Sequence, residues 1–546
     1  MFAEMERFAT LLDQLILTPS RNGKINLLAA YFAETPDPAR GWALAALTGD
    51  LEFRAMKPGQ IRAMIEARMD PVLFGLSYDY VGDLAETVSL VWPGGRGANR
   101  APPLEDIVED LLQATRATAP DLVARWLDDL DPPGRWALLK LVTGGLRIGV
   151  SARLAKVALA THGQVDVSDI EEIWHGLSPP FTSLFAWLDG DAERPRPDIA
   201  APFRPVMLAH PLVTKAQRDD PDAVDPAQVR PDRFAAEWKY DGIRIQAVSE
   251  RGERCIYTRT GDDISHTFPD VVAAMSFEAA IDGELLVLAE YGAVANFNAL
   301  QQRLNRKTVS KRQMEARPAF IRAYDLLHEA GEDLRALPFS TRRSRLERFI
   351  AHHGSDRLDL SPLVAFDDLD DLAAKRNTLP APEIEGLMLK RWDSPYLAGR
   401  PKGPWFKWKR DPFLIDAVLL YAQRGRGKRS SFYSDFTFGV WRRREERDEL
   451  TPVGKAYFGF TDEELKQIDR FVRGHTVDRF GPVRAVTAEP DTGLVFEVAF
   501  EGLQRSPRHK SGLAMRFPRI NRIRWDKPPG EADRLETLEA LLPPEG

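Results

Sequence analysis

The apolar residues of this chain change their spacing part-way along it, which rules out a single uniform layer. Up to about residue 205 they recur at helical intervals. Phe8, Leu11, Leu12, Leu15 and Ile16 form one such stripe, and Ile107, Leu111 and Leu112 form another behind the start signal Pro102-Pro103. An all-α domain over residues 1–205 is expected. The stretch DAERPRPDIAAPFRP from Asp191 to Pro205 then disfavours helix, because its prolines lack backbone donors. From Phe234 the runs become short and are punctuated by Asp-Gly, as in AAEWKYDGIRIQAV and AAIDGELLVL, with helical stretches such as Arg342 to Phe349 between them. Residues 206–411 therefore read as α+β. After Asp411-Pro412, AVLLY at 417–421 and FTFGVW at 436–441 flank the turn-rich GRGKRSS, and residues 412–530 suit a small β-barrel. The acidic tail 531–546 reads as one frayed helix around Leu535 to Leu542, without evident chemistry.

A length of 546 residues exceeds what one core organises, so two to four domains are expected, and 44% hydrophobic residues can fill them. The net charge of −7 excludes a wholly basic nucleic-acid binder and confines any such surface to a patch. Cys255 is the sole cysteine, which excludes an internal disulfide and a zinc site built on several thiolates. With no basic leader and no long uncharged apolar stretch, the chain reads as soluble and cytoplasmic, with no membrane partner.

Chemistry concentrates first in Glu237-Trp238-Lys239-Tyr240-Asp241-Gly242-Ile243-Arg244, which predicts a hairpin with Lys239 at a strand end beside an Asp-Gly turn. Alone, K-x-D-G occurs by chance in roughly one of ten chains this long, and a solvated hairpin lysine is then the better reading. Arg259-Thr260-Gly261 follows. In Ile281-Asp282-Gly283-Glu284, alternation places both carboxylates on one face, where they could hold a ribose hydroxyl or a metal, or simply face water. Next come Glu385-Gly386-Leu387-Met388-Leu389-Lys390 and Trp405-Phe406-Lys407-Trp408-Lys409. Strand geometry aims Lys407 and Lys409 one way and Phe406 and Trp408 the other, giving an anion site or a basic edge strand. Basic residues recur at Arg424, Arg426, Lys428 and Arg429, at Arg505, Arg508 and Lys510, and from Arg516 and Arg519 to Arg524 and Lys527, enough to neutralise phosphates.

The order K-x-D-G, R-x-G, D-G-E, E-G-L-M-L-K, K-x-K and R-x-D-K resembles the covalent nucleotidyltransferase superfamily. FNALQQR at 297–303, AYDLL at 323–327 and TGGLRIGVS at 143–151 resemble ATP-dependent DNA ligases in particular, of the bacterial type with an N-terminal DNA-binding domain. Thr260 follows Arg259 where many relatives carry a different small polar residue. The resemblance implies a helical DNA-binding domain, an adenylation domain and an OB-fold barrel around nicked duplex DNA. It implies ATP and Mg2+ as cofactors, with Mn2+ substituting. NAD-dependent relatives carry a four-cysteine zinc site that this chain cannot build. RNA ligases and GTP-using capping enzymes share the core and lack the long helical domain. A scaffold without catalysis would need none of the motif residues.

By the same resemblance Lys239 is the nucleophile that becomes N6-AMP-lysine. Lys407 and Lys409 neutralise the phosphates, while Arg524, Asp526 and Lys527 orient pyrophosphate from a barrel that swings. Glu237, Arg244, Arg259, Glu284, Tyr324, Met388 and Lys390 would hold the nucleotide, with Tyr324 on the adenine, Met388 on its other side and Glu284 on the ribose. Asp241, Glu284 and Glu385 would position metal. Gly144, Gly145, Arg147, Arg153, Arg303, Arg426, Arg429, Arg516 and Arg519 would meet DNA. A nucleophilic lysine must lose its proton, so Lys239 is expected to have a lowered pKa, with burial and the cations Arg244, Arg259, Lys407, Lys409 and bound magnesium as causes. A monomer acting in DNA repair, near the nucleoid, is expected; its protein partners are unknown.

Overall fold

The computed structural model describes residues 4–542 apart from 52, 54, 82, 94–100, 197, 214–223, 290–291, 305, 307–308, 425–431 and 445–446. It divides into two compact units: Met1–Val167 with Ser178–Pro195 and Asp411–Gly546, and Ser168–Leu177 with Arg196–Arg410.

The first unit opens with helices from Glu4–Leu17 onward, several of them capped by the oxygen-bearing residues that precede their first turn. Ser20 accepts from Gly23, Asp83 from Glu86, Asp131 from Gly134 and Ser151 from Leu154. The first stripe is core as expected, with Phe8, Leu11, Leu12 and Leu15 all buried. In Leu104–Gln113 the buried face runs through Leu104, Ile107, Val108 and Leu111, whereas Leu112 lies on the exposed side. One position on a helix turns a side chain by about 100°, which carries it off the stripe.

The same unit contains a seven-stranded sheet in the order Arg447–Ala456, Tyr433–Arg444, Phe413–Arg424, Val483–Val486, Thr476–Phe480, extended by Val495–Phe500 and Arg519–Arg524. Helix Asp462–Gly474 contributes Leu465, Ile468 and Val472 to the core of this curled sheet. The tail is not frayed: Leu535 and Leu538 of Leu535–Glu539 lie in that core, and Arg534 pairs with Asp448 at 2.6 Å. Two buried leucines outweigh the fraying of so short a helix.

The second unit holds a four-stranded sheet, His210–Pro211, Trp405–Lys409, Ile384–Arg391, Phe234–Tyr240, and a six-stranded one built on Glu253–Thr258, Ile243–Glu250, Ala279–Val287 and Ala319–Glu329. The expected Asp-Gly hairpin is therefore not one. Phe234–Tyr240 pairs with Ile384–Arg391, while Ile243–Glu250 pairs with the other sheet. Asp241-Gly242 is the crossing between sheets, pinned where Asp241 N–H donates to the Glu383 carbonyl at 2.8 Å. Ser168–Leu177 joins this unit through Glu172, 2.9 Å from Arg335, and through His175, whose ring packs on Phe203 and Tyr257.

Candidate active site

Lys239, one residue from the end of its strand, lies directly opposite Gly386. Gly386 has a φ of 150°, and a Cβ there would fall 2.2 Å from the Trp408 carbonyl oxygen, so only glycine lets the three strands meet this closely. The closeness brings two lysines onto one carboxylate. Lys239 Nζ pairs with Glu385 Oε1, and Lys409 Nζ lies 2.8 Å from Glu385 Oε2. Phe406 and Trp408 pack into the apolar layer behind, as strand alternation requires.

Electrostatics here reverse one expectation. Burial pulls the Lys239 pKa down, but Glu385, Glu284 and Asp241 together outweigh it and hold the ammonium above the ordinary lysine value. Burial would raise Glu385, yet Lys239 and Lys409 keep it below the usual carboxylate range. Glu284 is pushed up to about 7 by burial, with Glu385 adding to the push and Lys239 opposing it. Its Oε1 accepts from the Gly242 N–H at 3.1 Å. Lys407 is lowered by burial and by Arg400, Lys239 and Lys409.

The expected nucleotide-holding residues separate into two layers. Tyr324 and Met388 lie together beside Trp405, and the Arg244 guanidinium sits 5.9 Å from the Tyr324 ring centroid. Arg244 is held by Asp282 at 2.7 Å, by the Tyr396 hydroxyl at 3.1 Å and by the Met207 carbonyl. Asp282 is consequently consumed by Arg244 and Tyr396, leaving Glu284 as the carboxylate nearer Lys239. Lys390 belongs to the deeper layer. It is 1% exposed, reaches Glu237 Oε2 at 2.5 Å, donates to the Tyr324 carbonyl at 3.1 Å, and lies 4.4 Å from the centroid of the Tyr324 ring. Arg343 holds the other Glu237 oxygen at 3.1 Å. Lys390 thus supports the wall from behind instead of lining it. Arg259 is exposed on the turn after Glu253–Thr258.

Arg524, Asp526 and Lys527 form a separate cluster in the first unit. Asp416 receives Arg524 at 3.0 Å and Lys527 at 2.8 Å, while Arg524 also pairs with Asp526 at 2.9 Å. The hydrogen bond from Arg524 draws Asp526 down to about 2. Asp416 was missed in the sequence, although a lone acid inside the apolar strand FLIDAVLL signals a buried partner.

Among the expected DNA contacts, Gly144, Arg147 and Arg153 are exposed and Gly145 half-buried. Arg516 stacks on Phe517, with its guanidinium 5.4 Å from the ring centroid, and Arg519 pairs with Glu501 at 3.0 Å. Arg426 and Arg429 lie outside the described residues. Arg303 must be withdrawn as a DNA contact. It is 4% exposed, paired with Asp270 and bonded to the Thr267 and Arg317 carbonyls, because burying a guanidinium requires filling its donors.

The family model described as ATP dependent DNA ligase domain matches residues 214–409, and ATP dependent DNA ligase C terminal region matches 429–527. A probable DNA ligase of Anaeromyxobacter sp. (strain Fw109-5) is 32% identical over 97% of this chain and 96% of its own length. The chain belongs to the ATP-dependent DNA ligase family. A DNA ligase of Natronomonas pharaonis is likewise 32% identical to this ligase, over 90% of the chain and 85% of the relative. The solved structure named Pmar-Lig_PreS3 superposes with a TM-score of 0.59 at 14% identity, covering 95% of this chain and 99% of that one. The fold is accordingly a helical N-terminal region, a nucleotidyltransferase domain and a sheet-rich C-terminal domain consistent with an OB-fold.

Among the described residues no group of three ligands is poised for a metal, and no helix is long and apolar enough to cross a membrane. Glu385, Glu284 and Asp241 are hard oxygen donors whose charges act on Lys239. They suit a magnesium ion that takes its remaining ligands from water and substrate phosphates.

Proposed function

We propose that this ligase seals 3′-hydroxyl/5′-phosphate nicks in duplex DNA through an adenylate carried on Lys239. The Lys239 amine attacks the α-phosphorus of ATP; the N–P bond forms, the bond to the β-phosphate oxygen breaks, and pyrophosphate leaves. A nick 5′-phosphate oxygen then takes the AMP, the N–P bond breaks, and Lys239 recovers its proton. Attack by the 3′-hydroxyl on the DNA-adenylate closes the phosphodiester and releases AMP, with duplex binding holding the two ends in line.

The observation that carries this reading is the sharing of Glu385 by Lys239 and Lys409. Lys239 is charged in that pair and cannot attack until the carboxylate's hold is relaxed. Magnesium on Glu385, with Asp241 and Glu284 near, would neutralise that carboxylate, and manganese would serve in its place. Lys407 and Lys409 take up phosphate charge, Tyr324 and Met388 enclose adenine, Glu284 holds ribose, Arg244 and Arg259 complete the pocket, and Glu237 supports its wall from behind with Lys390. Arg524, Asp526 and Lys527 orient pyrophosphate when the barrel turns toward ATP, and Gly144, Gly145, Arg147, Arg153, Arg516 and Arg519 meet the duplex. We assign the enzyme to DNA repair, as a cytoplasmic, nucleoid-associated monomer.

The test is to incubate the protein and its Lys239→Ala variant with magnesium and α-labelled ATP or GTP, then chase a native aliquot with nicked duplex. ATP label on the wild type alone, discharged as the nick closes, is the expected result. A preparation free of bound AMP that takes no label would overturn the assignment.

A further inference from the structure

Lys24 lies in the first helical turn of Arg21–Glu34, and its ammonium is buried in the helical unit. Its Nζ donates to the Ile148 carbonyl at 2.6 Å and the Gly149 carbonyl at 3.1 Å, more than a hundred residues away in sequence. Both acceptors belong to the loop 143–151, which leads into the helix Ala152–Gly163. The loop is irregular: Gly144, Arg147 and Gly149 all have left-handed φ values, of 67°, 48° and 69°. A Cβ on Gly149 would lie 2.6 Å from Lys24 Nζ, so the backbone rests directly on the ammonium. Ile148 is buried beside it, whereas Gly144, Arg147 and Arg153 face outward.

We infer that Lys24 is a positioning residue for DNA binding, whose buried ammonium fixes the loop 143–151 in the shape that presents Arg147 and the Gly144-Gly145 backbone to a duplex. This rests on the proposed DNA-contacting role of that loop. The physical reason is directional. A cation under two carbonyls turns them inward, and no uncharged side chain of similar length makes both bonds. A left-handed arginine between two left-handed glycines holds its conformation only where its surroundings impose it. Lys24 itself is too deep to meet a phosphate, so its contribution to DNA affinity is geometric.

The test compares Lys24→Met, Lys24→Arg and Arg147→Ala in the full chain, measuring nicked-duplex affinity against salt, self-adenylation, and amide exchange across residues 144–150. Lys24→Met is expected to weaken DNA binding roughly tenfold, the size of one charge-assisted hydrogen bond. It should leave self-adenylation and the salt slope as in the wild type, and speed exchange in the loop alone. Lys24→Arg should restore most of the affinity. Arg147→Ala should weaken binding and flatten the salt slope by about one. Undiminished binding by Lys24→Met, a slope flattened as in Arg147→Ala, or exchange raised throughout the helices would each overturn the inference. Wild-type affinity and slope in Arg147→Ala would instead overturn the DNA-contacting role of the loop.

Discussion

Strands Phe234–Tyr240 and Ile384–Arg391 carry two lysine–glutamate pairs, each linking one strand to the other, and the pairs behave oppositely. Lys239 meets Glu385 at the strand ends, partly exposed, and its pKa is raised because carboxylates outweigh burial. Lys390, near the other end of its strand, meets Glu237 in the middle of the neighbouring one, fully buried, and its pKa is lowered because burial outweighs Glu237 and Asp325. Two strands with the same residue types thus build a pair that chemistry can open and a pair that only holds the wall. Depth, not residue type, separates them.

Substitutions can break that comparison. The largest effect is expected for Lys239→Ala, which should abolish the AMP adduct while leaving the unfolding midpoint nearly unchanged, since Lys409 keeps Glu385 paired. Lys390→Met should do the reverse. It still forms the adduct, with losses confined to KM for ATP and to stability, by about 3 kcal/mol for breaking a buried pair. Urea unfolding at fixed pH reads this, and an unchanged midpoint would contradict the buried role. Arg303→Ala should also cost stability, by a similar amount of about 3 kcal/mol, without changing the salt slope of DNA binding. A flattened slope would return it to the DNA surface.

The smallest effect concerns Glu284, whose carboxyl is raised by burial from its ordinary 4.5 to about 7. Between those two values the folded state holds a proton that the unfolded state has released, so stability falls as pH rises through that window. Glu284→Gln should therefore raise the unfolding midpoint at pH 8 and lose most of that gain by pH 5, even as adenylation suffers. A gain independent of pH would mean that the carboxylate is not strained by its site.

Much of this arrangement was legible in the sequence. Alternation placed Lys407 and Lys409 opposite Phe406 and Trp408, and the change of apolar spacing separated the helical from the strand-rich regions. What stayed hidden was whatever depends on depth or on distant strands. Asp241-Gly242 looks like a hairpin turn locally, but the strands on either side do not pair with each other: Phe234–Tyr240 takes Ile384–Arg391, far along the chain, and Ile243–Glu250 takes Glu253–Thr258 and Ala279–Val287. Lys390 and Arg303 sit in motifs beside functional residues, and nothing local shows that Glu237 and Asp270 claim them. Arg343, Tyr396 and Asp416 act through ion pairs and hydrogen bonds to residues far off in sequence, for which spacing carries no signal.

The most direct measurement is to locate the adenylate by tandem mass spectrometry after brief reaction with ATP and magnesium. The account predicts one AMP on the peptide containing Lys239 and none on that containing Lys390; AMP on Lys390, or on a residue outside the Glu385 cluster, would contradict it.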